Sequence, residues 1–305
     1  MPLLQPRRVR CAAMHPSAGL LRAAILATVF FLHGCTTDPA NRFAQLVEEG
    51  QPAGFAGVRF GEKPALLGIM RGQQGAGRLW VVIEGDGVAW LNIREPSLDP
   101  TPRDAVGWRM ASRVSVPAVL YLARPCQFLK EAERVDCASV DWTDDRFSER
   151  WAERLNAAVD EAKLMAGITH GGQVVLAGYS GGGVLAALLA VRRNDVACLV
   201  TVAAPLDHVA WARHHGVSTL AGSLSVVEVQ KRLASVSQVH LTGENDLVVP
   251  PFLIEKFVAT YPAQTPVTVL RLPGVDHTMR IDMDLSLLRT STSPAPTTGD
   301  RQICP

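Results

Sequence analysis

The serine at position 180 stands in the kind of local sequence that nucleophilic catalysis requires. It is the centre of a Gly-x-Ser-x-Gly motif that it forms with Gly178 and Gly182. An apolar run at 173–177 precedes the motif, and an Ala/Leu-rich run with helical propensity follows it at 184–190. Strand, sharp turn and helix in this order predict a strained serine, with glycines leaving room on both sides. We therefore interpret Ser180 as a nucleophile, the alternative being a Gly/Ser-rich loop with a solvated hydroxyl.

A serine nucleophile needs a general base, and His277 is the histidine best placed to be one. It lies in a loop directly after the last predicted strand, 267–272. The other histidines lie in the N-terminal segment, inside a strand, before a Gly-Gly break or in a polar insertion. His277 also follows the serine in the chain, as the base does in strand–turn–helix serine sites.

An acid is expected between the serine and the histidine, in a loop that follows a strand. Asp246 meets this condition after the predicted strand 238–242, where it would accept the Nδ1–H of His277 and fix the tautomer of the imidazole. Glu244 in the same loop and Asp207 after the preceding strand remain alternatives. A turn aspartate that only satisfies its own backbone is the structural alternative.

Two backbone N–H groups are predicted to hold a developing oxyanion. One belongs to Gly181, at the start of the predicted helix, and the other to Asp86, after the predicted strand 79–84. A carboxylate beside an oxyanion would oppose catalysis, so we expect the Asp86 side chain to point away and to bond locally. An ordinary Gly-Asp-Gly turn is the alternative interpretation of this loop.

The remaining pattern predicts an α/β fold with one domain over 55–290. Apolar strand-like runs alternate with helical ones through the middle and C-terminal parts, and a hairpin stands at the front. This predicts a mainly parallel, doubly covered sheet with an antiparallel start. The segment at 205–235 has no long apolar run and predicts a small cap insertion with two short helices. The residues at 92–115 predict a loop with a short helix.

The N-terminal residues predict export. The apolar run at 23–32 follows Arg22 and is too short to span a bilayer, so residues 1–34 are interpreted as a signal peptide, with Met14 an alternative start. The run ends at Cys35 in a sequence similar to a bacterial lipobox, which implies a lipid anchor on Cys35 and an outer-membrane destination. A plain cleaved signal is the alternative. We predict a linker at 35–54 with one helical turn near 42–48, and a disordered tail at 291–305.

An exported chain meets an oxidising compartment, which directs attention to its cysteines. Cys126 and Cys137 lie close together in a polar segment and predict a local disulfide. Cys198 lies inside a predicted strand and is interpreted as a buried thiol, while Cys304 is left unassigned. No pair of cysteines has the spacing of a zinc site. The net charge of +1 gives no argument for a nucleic-acid partner.

Taken together, the motifs resemble those of the α/β-hydrolase superfamily over about 55–288. A closer resemblance, to proteobacterial exported α/β-hydrolase lipoproteins, rests on segments outside the triad motifs. The triad motifs are Gly-Tyr-Ser-Gly-Gly at 178–182, Gly-Glu-Asn-Asp-x-x-Val-Pro at 243–250 and Gly-Val-Asp-His at 274–277, and the other segments are 83–90, 124–127 and 206–211. The superfamily implies a Ser-Asp-His serine hydrolase with no metal and no organic cofactor, and it leaves the substrate open.

The chain departs from the superfamily at Glu84, which stands where many members carry the histidine of a His-Gly motif. The first functional hypothesis is hydrolysis of an acyl bond in a small-molecule substrate, with a carboxylic ester as the default and thioester, lipid or peptide bonds open. The second is an envelope-anchored protein that binds a ligand or partner without turnover, for which Glu84 is the main support.

Overall fold

Eight strands form one mixed sheet in the computed structural model, which describes residues 38–168, 171–288 and 304. The strands of this sheet are β1 Ala56–Phe60, β2 Leu66–Arg71, β3 Arg78–Ile83, β6 Val119–Leu122, β7 Gln173–Tyr179, β8 Val196–Val202, β9 Gln238–Gly243 and β10 Val267–Leu272. Their order across the sheet is β1-β2-β6-β3-β7-β8-β9-β10. The first two strands pair antiparallel, β2 pairs antiparallel with β6, and every later pair is parallel. The predicted fold class is therefore confirmed.

Seven α-helices accompany the strands in the described part of the chain. They are α1 Pro39–Gly50, α2 Val106–Ala111, α3 Glu149–Met165, α4 Gly181–Ala190, α5 His208–His215, α6 Val226–Leu233 and α7 Pro251–Val258. The pair α5 and α6 forms the predicted small insertion. A two-stranded hairpin of β4, Trp90–Asn92, and β5, Glu95–Pro96, was not predicted. No helix among the described residues is long and apolar enough to cross a membrane.

Alternate side chains of each central strand pack into separate cores on the two faces of the sheet. On β3, Leu79, Val81 and Ile83 join one apolar cluster, and Trp80 and Val82 join the other. All five side chains are at most 2% exposed. A strand buried on both faces reads as a continuous apolar run, which is why the sequence at 79–84 shows no alternation.

Helix α1 replaces the predicted single helical turn in the 35–54 linker. Asp38 caps the helix by accepting from the Ala40 N–H, and Pro39 occupies the first turn. Phe43 and Val47 lie four residues apart, so they share one face of the helix, and both pack against the core. The segment therefore belongs to the packed structure, because capping and an apolar stripe stabilise 12 helical residues rather than one turn.

Two disulfides are present in the described part of the chain. Cys126 is bonded to Cys137, and Cys198 on β8 is bonded to Cys304. The interpretation of Cys198 as a buried free thiol is therefore wrong. Cys304 is 2% exposed and packs in the same core cluster as Cys198, so the thiols meet although 106 residues separate them. The predicted signal peptide, Cys35 and the rest of the predicted tail, 291–303 and 305, lie outside the described residues.

Candidate active site

Ser180 lies in a strained turn between β7 and α4. Its φ and ψ angles are 49° and −123°, in a region that residues with a Cβ rarely adopt. A Cβ on Gly178 would collide with the backbone of Gly182, and one on Gly182 would collide with the backbone at Glu84. The predicted strained serine and the space around it are confirmed, and the turn fixes the hydroxyl at the carboxyl end of β7.

His277 and Asp246 form a direct pair in the loops after β10 and β9. The distance from His277 Nδ1 to Asp246 Oδ2 is 2.8 Å. Asp246 is 1% exposed, and its Oδ1 accepts from the backbone N–H groups of Val248 at 2.8 Å and Val249 at 2.7 Å. These two donors hold the carboxylate in place, so it can fix the orientation and the tautomer of the imidazole.

The two other candidate acids are engaged elsewhere. Glu244 is exposed, and its Oε2 accepts from the Gly274 N–H at 3.3 Å. Asp207 caps helix α5 by accepting from the Ala210 N–H at 2.8 Å. No hydrogen bond joins either carboxylate to His277 among the described residues, so Asp246 is the acid that the geometry favours.

Ser180 and His277 border the same cavity, which has a volume of about 480 Å³. No hydrogen bond joins the Ser180 hydroxyl to the imidazole within the described part of the chain. Hydrogen bonds between catalytic groups commonly tighten only when substrate is bound. The structure thus brings the histidine and the acid into contact and places the serine and the histidine on the wall of one cavity.

The backbone N–H groups of Gly181 and Asp86 have no acceptor among the described residues. Gly181 begins helix α4, whose dipole places partial positive charge there. The Asp86 side chain does not bond locally as predicted. It forms ion pairs with Arg124 and, at 2.6 Å, with Arg146, and it lies directly beside the Cα of Gly181.

The two arginines explain how a carboxylate is tolerated beside the helix start. Burial disfavours the ionised form of Asp86, but Arg146 and Arg124 outweigh burial, and the pKa of Asp86 is lowered. Both guanidinium groups are nearly buried, since the side chain of Arg124 is 5% exposed and that of Arg146 is 6% exposed. Sequence reasoning missed these arginines because they lie 38 and 60 residues from Asp86. The Arg-Pro-Cys-Gln segment at 124–127 had marked the first only as part of a resemblance.

Glu84 has a structural role in this arrangement. Its Oε1 accepts from the N–H groups of Gly85 at 2.8 Å and Gly107 at 3.1 Å, and its Oε2 from the Tyr121 hydroxyl at 3.0 Å. Gly107 lies in the first turn of α2, so Glu84 ties this helix to the end of β3. Burial raises the pKa of Glu84 in spite of these donors. The Glu84 carboxylate is therefore occupied by protein donors.

Tyr179 supports the histidine from the strand that carries the serine. Its hydroxyl donates to the His277 carbonyl oxygen at 2.7 Å, and the two ring centroids lie 5.3 Å apart. Burial raises the pKa of the Tyr179 hydroxyl, which keeps it a donor. The sequence shows this residue as the variable position of the Gly-x-Ser-x-Gly motif, so the pattern did not mark it.

The cavity walls are largely apolar, with a polar region on one side. Apolar residues contributing to the wall are Val88, Ala89, Trp90, Pro102, Val106, Phe147, Pro205, Trp211, Leu220, Val248 and Val249. The polar lining near Asp86 includes Arg146 and His208, neither of which was predicted as a site residue. Within 38–168, 171–288 and 304, no three His, Cys, Asp or Glu side chains are grouped so that they could hold a metal ion.

Comparison with known proteins adds evidence on the fold. No protein-family model and no curated protein matches the sequence. Among solved structures, Est1E from Butyrivibrio proteoclasticus is 14% identical with a TM-score of 0.52, covering 74% of this chain and 91% of its own. Est1E with bound ferulic acid is 15% identical with a TM-score of 0.52, covering 70% and 88%.

The protein lip1 from Acinetobacter baumannii AYE, described as a candidate lipase, is 13% identical with a TM-score of 0.51. The match covers 77% of this chain and 89% of lip1. Identities this low bear on the fold alone. The strand order, the strand directions and these similarities together show that the chain has the α/β-hydrolase fold.

Proposed function

We propose that this protein is a serine hydrolase that cleaves an acyl bond, most simply a carboxylic ester, through Ser180, His277 and Asp246. One observation carries the proposal. A serine held at φ 49° on a strand–helix turn shares a cavity with a histidine that is paired to a buried aspartate. Backbone strain of this kind is found at functional sites.

In the first half of the reaction, Ser180 Oγ attacks the substrate carbonyl carbon while His277 Nε2 accepts the hydroxyl proton. Asp246 bonds Nδ1–H, so the neutral imidazole presents an unprotonated Nε2 to the serine. The carbonyl oxygen becomes an oxyanion, which accepts from the N–H groups of Gly181 and Asp86. His277 then protonates the leaving oxygen, and an acyl-enzyme remains.

In the second half, water attacks the acyl-enzyme and gives a proton to His277 Nε2. Collapse of the second tetrahedral intermediate releases the acid and returns the proton to Ser180 Oγ. The mostly apolar cavity walls suit the carbon skeleton of an ester, and the volume of about 480 Å³ limits the substrate to a small molecule or to one end of a larger one.

A fluorophosphonate probe tests the nucleophile directly. We expect wild-type protein to be labelled at Ser180 and the Ser180→Ala variant to be unlabelled. Ser235→Ala is a matched control, because this exposed serine only donates to the Arg232 carbonyl, and its labelling should equal that of wild type. Equal labelling of wild type and Ser180→Ala would contradict the assignment.

Binding without turnover remains the competing hypothesis, and it has lost its main support. Glu84 engages protein donors, so its presence does not signal a blocked oxyanion site. A burst of nitrophenol from a short-chain ester would exclude the binding-only hypothesis. Absence of turnover across ester, thioester and amide substrates would favour it.

The location of the protein is a further part of the proposal. A signal-like segment that ends at Cys35 supports an exported chain anchored in the bacterial envelope through a lipid on that cysteine, facing the periplasm from the outer membrane. Metabolic labelling with an alkyne fatty acid should mark the wild type and not Cys35→Ala. A soluble, unlabelled wild type would contradict the anchor.

A further inference from the structure

The polar side of the cavity holds two nearly buried nitrogen-bearing side chains that the proposed mechanism does not use. Arg146 is 5% exposed and His208 is 3% exposed, and both line the cavity that contains Ser180. The His208 ring packs on Phe147, with 5.9 Å between the ring centroids, so the imidazole lies beside the residue that follows Arg146. The two groups therefore belong to one region of the wall.

Both side chains retain hydrogen-bonding capacity. Arg146 donates through Nε to the Thr143 carbonyl at 2.6 Å and through Nη1 to Asp86 at 2.6 Å. Its Nη2 has no hydrogen-bond acceptor among the described residues and is not fully enclosed by protein, so its N–H groups face open space. His208 has no side-chain hydrogen bond there either, and its enclosed Nδ1 is unpartnered.

A neutral His208 can turn its single proton toward the cavity. Burial lowers the pKa of this imidazole against the opposing effect of the Asp207 carboxylate, and Arg146 acts in the same direction as burial. Nδ1 is enclosed and Nε2 is not, so the tautomer with its proton on Nε2 can donate to a bound molecule. Arg146 and His208 together therefore offer two N–H donors and no acceptor to a bound molecule.

Arg146 shares its carboxylate partner with a second arginine. The two guanidinium groups of Arg124 and Arg146 share the single carboxylate of Asp86 and have no other ion pair among the described residues. The nearby Glu84 carboxylate bonds only to backbone N–H groups and a tyrosine hydroxyl. Glu84 acts on Arg124, whose pKa it raises, whereas Asp86 is the only carboxylate paired with Arg146 among the described residues. A second carboxylate beside Arg146 would therefore complete its pairing, and buried charges are stabilised by pairing.

We propose that Arg146 and His208 form a subsite for a carboxylate at the far end of the acyl part of the substrate. The leaving oxygen of the substrate must lie near His277, which protonates it. Arg146 is instead joined to Asp86, on the oxyanion side of Ser180. The acyl chain would therefore extend toward this wall, and the preferred substrate is a monoester of a dicarboxylic acid.

Binding to a variant without the nucleophile tests the subsite apart from catalysis. Monomethyl glutarate carries the carboxylate, and dimethyl glutarate is its uncharged counterpart. By isothermal titration calorimetry at pH 7.5, we expect the Ser180→Ala variant to bind the monomethyl ester at least tenfold more tightly than the dimethyl ester. Adding Arg146→Gln should remove this preference, and adding His208→Leu should reduce it by about threefold.

Arg213→Gln is the matched control, because Arg213 is an exposed arginine on the same helix as His208 and does not line the cavity. Its preference should equal that of the parent. If Arg146→Gln does not fold by circular dichroism, the parent protein and the His208→Leu variant decide the question. Equal affinity of the parent for the two esters would overturn the subsite.

The proposed subsite depends on the proposed ester hydrolysis in one respect, which is that its ligand is an ester. The two proposals can therefore fail separately. Selective binding of the monomethyl ester without turnover by wild type would remove the hydrolase and keep the carboxylate site. Turnover of both esters with equal kcat/KM, together with equal binding, would keep the hydrolase and remove the subsite.

Discussion

The imidazole of His277 is held by the Asp246 carboxylate through Nδ1 at 2.8 Å, and Asp246 is itself held by two backbone N–H groups. In Asp246→Asn, an amide Oδ1 can still accept from Val248 and Val249, but the NH₂ group faces Nδ1 and favours the tautomer with the proton on Nε2. This tautomer cannot accept the serine proton, so kcat/KM for a nitrophenyl ester should fall on the order of 1,000- to 10,000-fold.

Glu244→Gln provides the comparison for this prediction, because Glu244 is an exposed carboxylate two residues earlier in the same loop. Its kcat/KM should remain within about twofold of wild type, in keeping with the small effects of most surface substitutions. The assignment of the acid would be wrong if Glu244→Gln, and not Asp246→Asn, abolished turnover.

Local sequence patterns predicted the eight strands of the main sheet, the elbow at Ser180 and the loops of Asp246 and His277, because each depends on residues near it in the chain. They could not predict Arg124 and Arg146 around Asp86, because only the tertiary fold brings these residues together. The local sequence Gly85-Asp86-Gly87 does not indicate that two distant arginines pair with the Asp86 carboxylate.

The same limit applies to the disulfide between Cys198 and Cys304. A cysteine in an apolar strand has the local pattern of a buried thiol, and its partner is 106 residues away. Helix α1 differs, since Asp38, Pro39 and the apolar residues Phe43 and Val47 are all local. The cap and stripe were present in the sequence, and the linker prediction gave them too little weight.

Gly181 leaves space for the Asp86 cluster, and this gives a second prediction. A Cβ at this position would collide with Asp86 Oδ1 and would lie 2.6 Å from Arg124 Nη1. We expect Gly181→Ala to lose roughly 1–3 kcal/mol of unfolding free energy through overpacking. It should also lose at least tenfold in kcat/KM, because the Gly181 N–H would move with the helix start.

Gly77→Ala is the matched control for overpacking, since nothing lies within 4 Å of a Cβ built there. Urea unfolding and ester hydrolysis should show it to be close to wild type. Equal stability and activity of the Gly181 and Gly77 variants would show that the Asp86 cluster does not restrict this position.

The buried His240 makes the free energy of unfolding depend on pH. It is 0% exposed on β9, its Nδ1 lies 2.7 Å from the Thr201 hydroxyl, and burial lowers its pKa from 6.5 to about 3. Between these values the unfolded chain binds more protons than the folded protein. The stabilisation is therefore complete above about pH 6.5 and is lost as the pH falls toward about 3.

The His240→Gln variant should remove this part of the pH dependence. Between pH 6 and pH 4, the slope of the unfolding free energy should be smaller than in wild type by on the order of 1.4 kcal/mol per pH unit. Urea titrations at several pH values measure it, with His214→Gln as an exposed control. Identical slopes for wild type and His240→Gln would refute the prediction.

The backbone strain at Ser180 predicts a difference between two inactive variants. Ser180→Ala and Ser180→Gly both lack the nucleophile, so neither should hydrolyse an ester. Only glycine adopts φ 49° and ψ −123° without a steric penalty from Cβ. Relief of strain outweighs the greater freedom of glycine in the unfolded chain, so Ser180→Gly should be more stable than Ser180→Ala by roughly 1 kcal/mol.

Ser112 is the control position, because its backbone is unstrained and the order of stability of its glycine and alanine variants should be reversed. Its φ and ψ angles are −63° and −21°, which suit any residue with a Cβ. Here Ser112→Gly should be less stable than Ser112→Ala by about 0.5–1 kcal/mol, since glycine loses more freedom on folding. The contrary result would be that urea unfolding ranks the glycine and alanine variants in the same order of stability at both positions. In that case the backbone of Ser180 would not be measurably strained, and the turn would no longer support the assignment of Ser180 as the nucleophile.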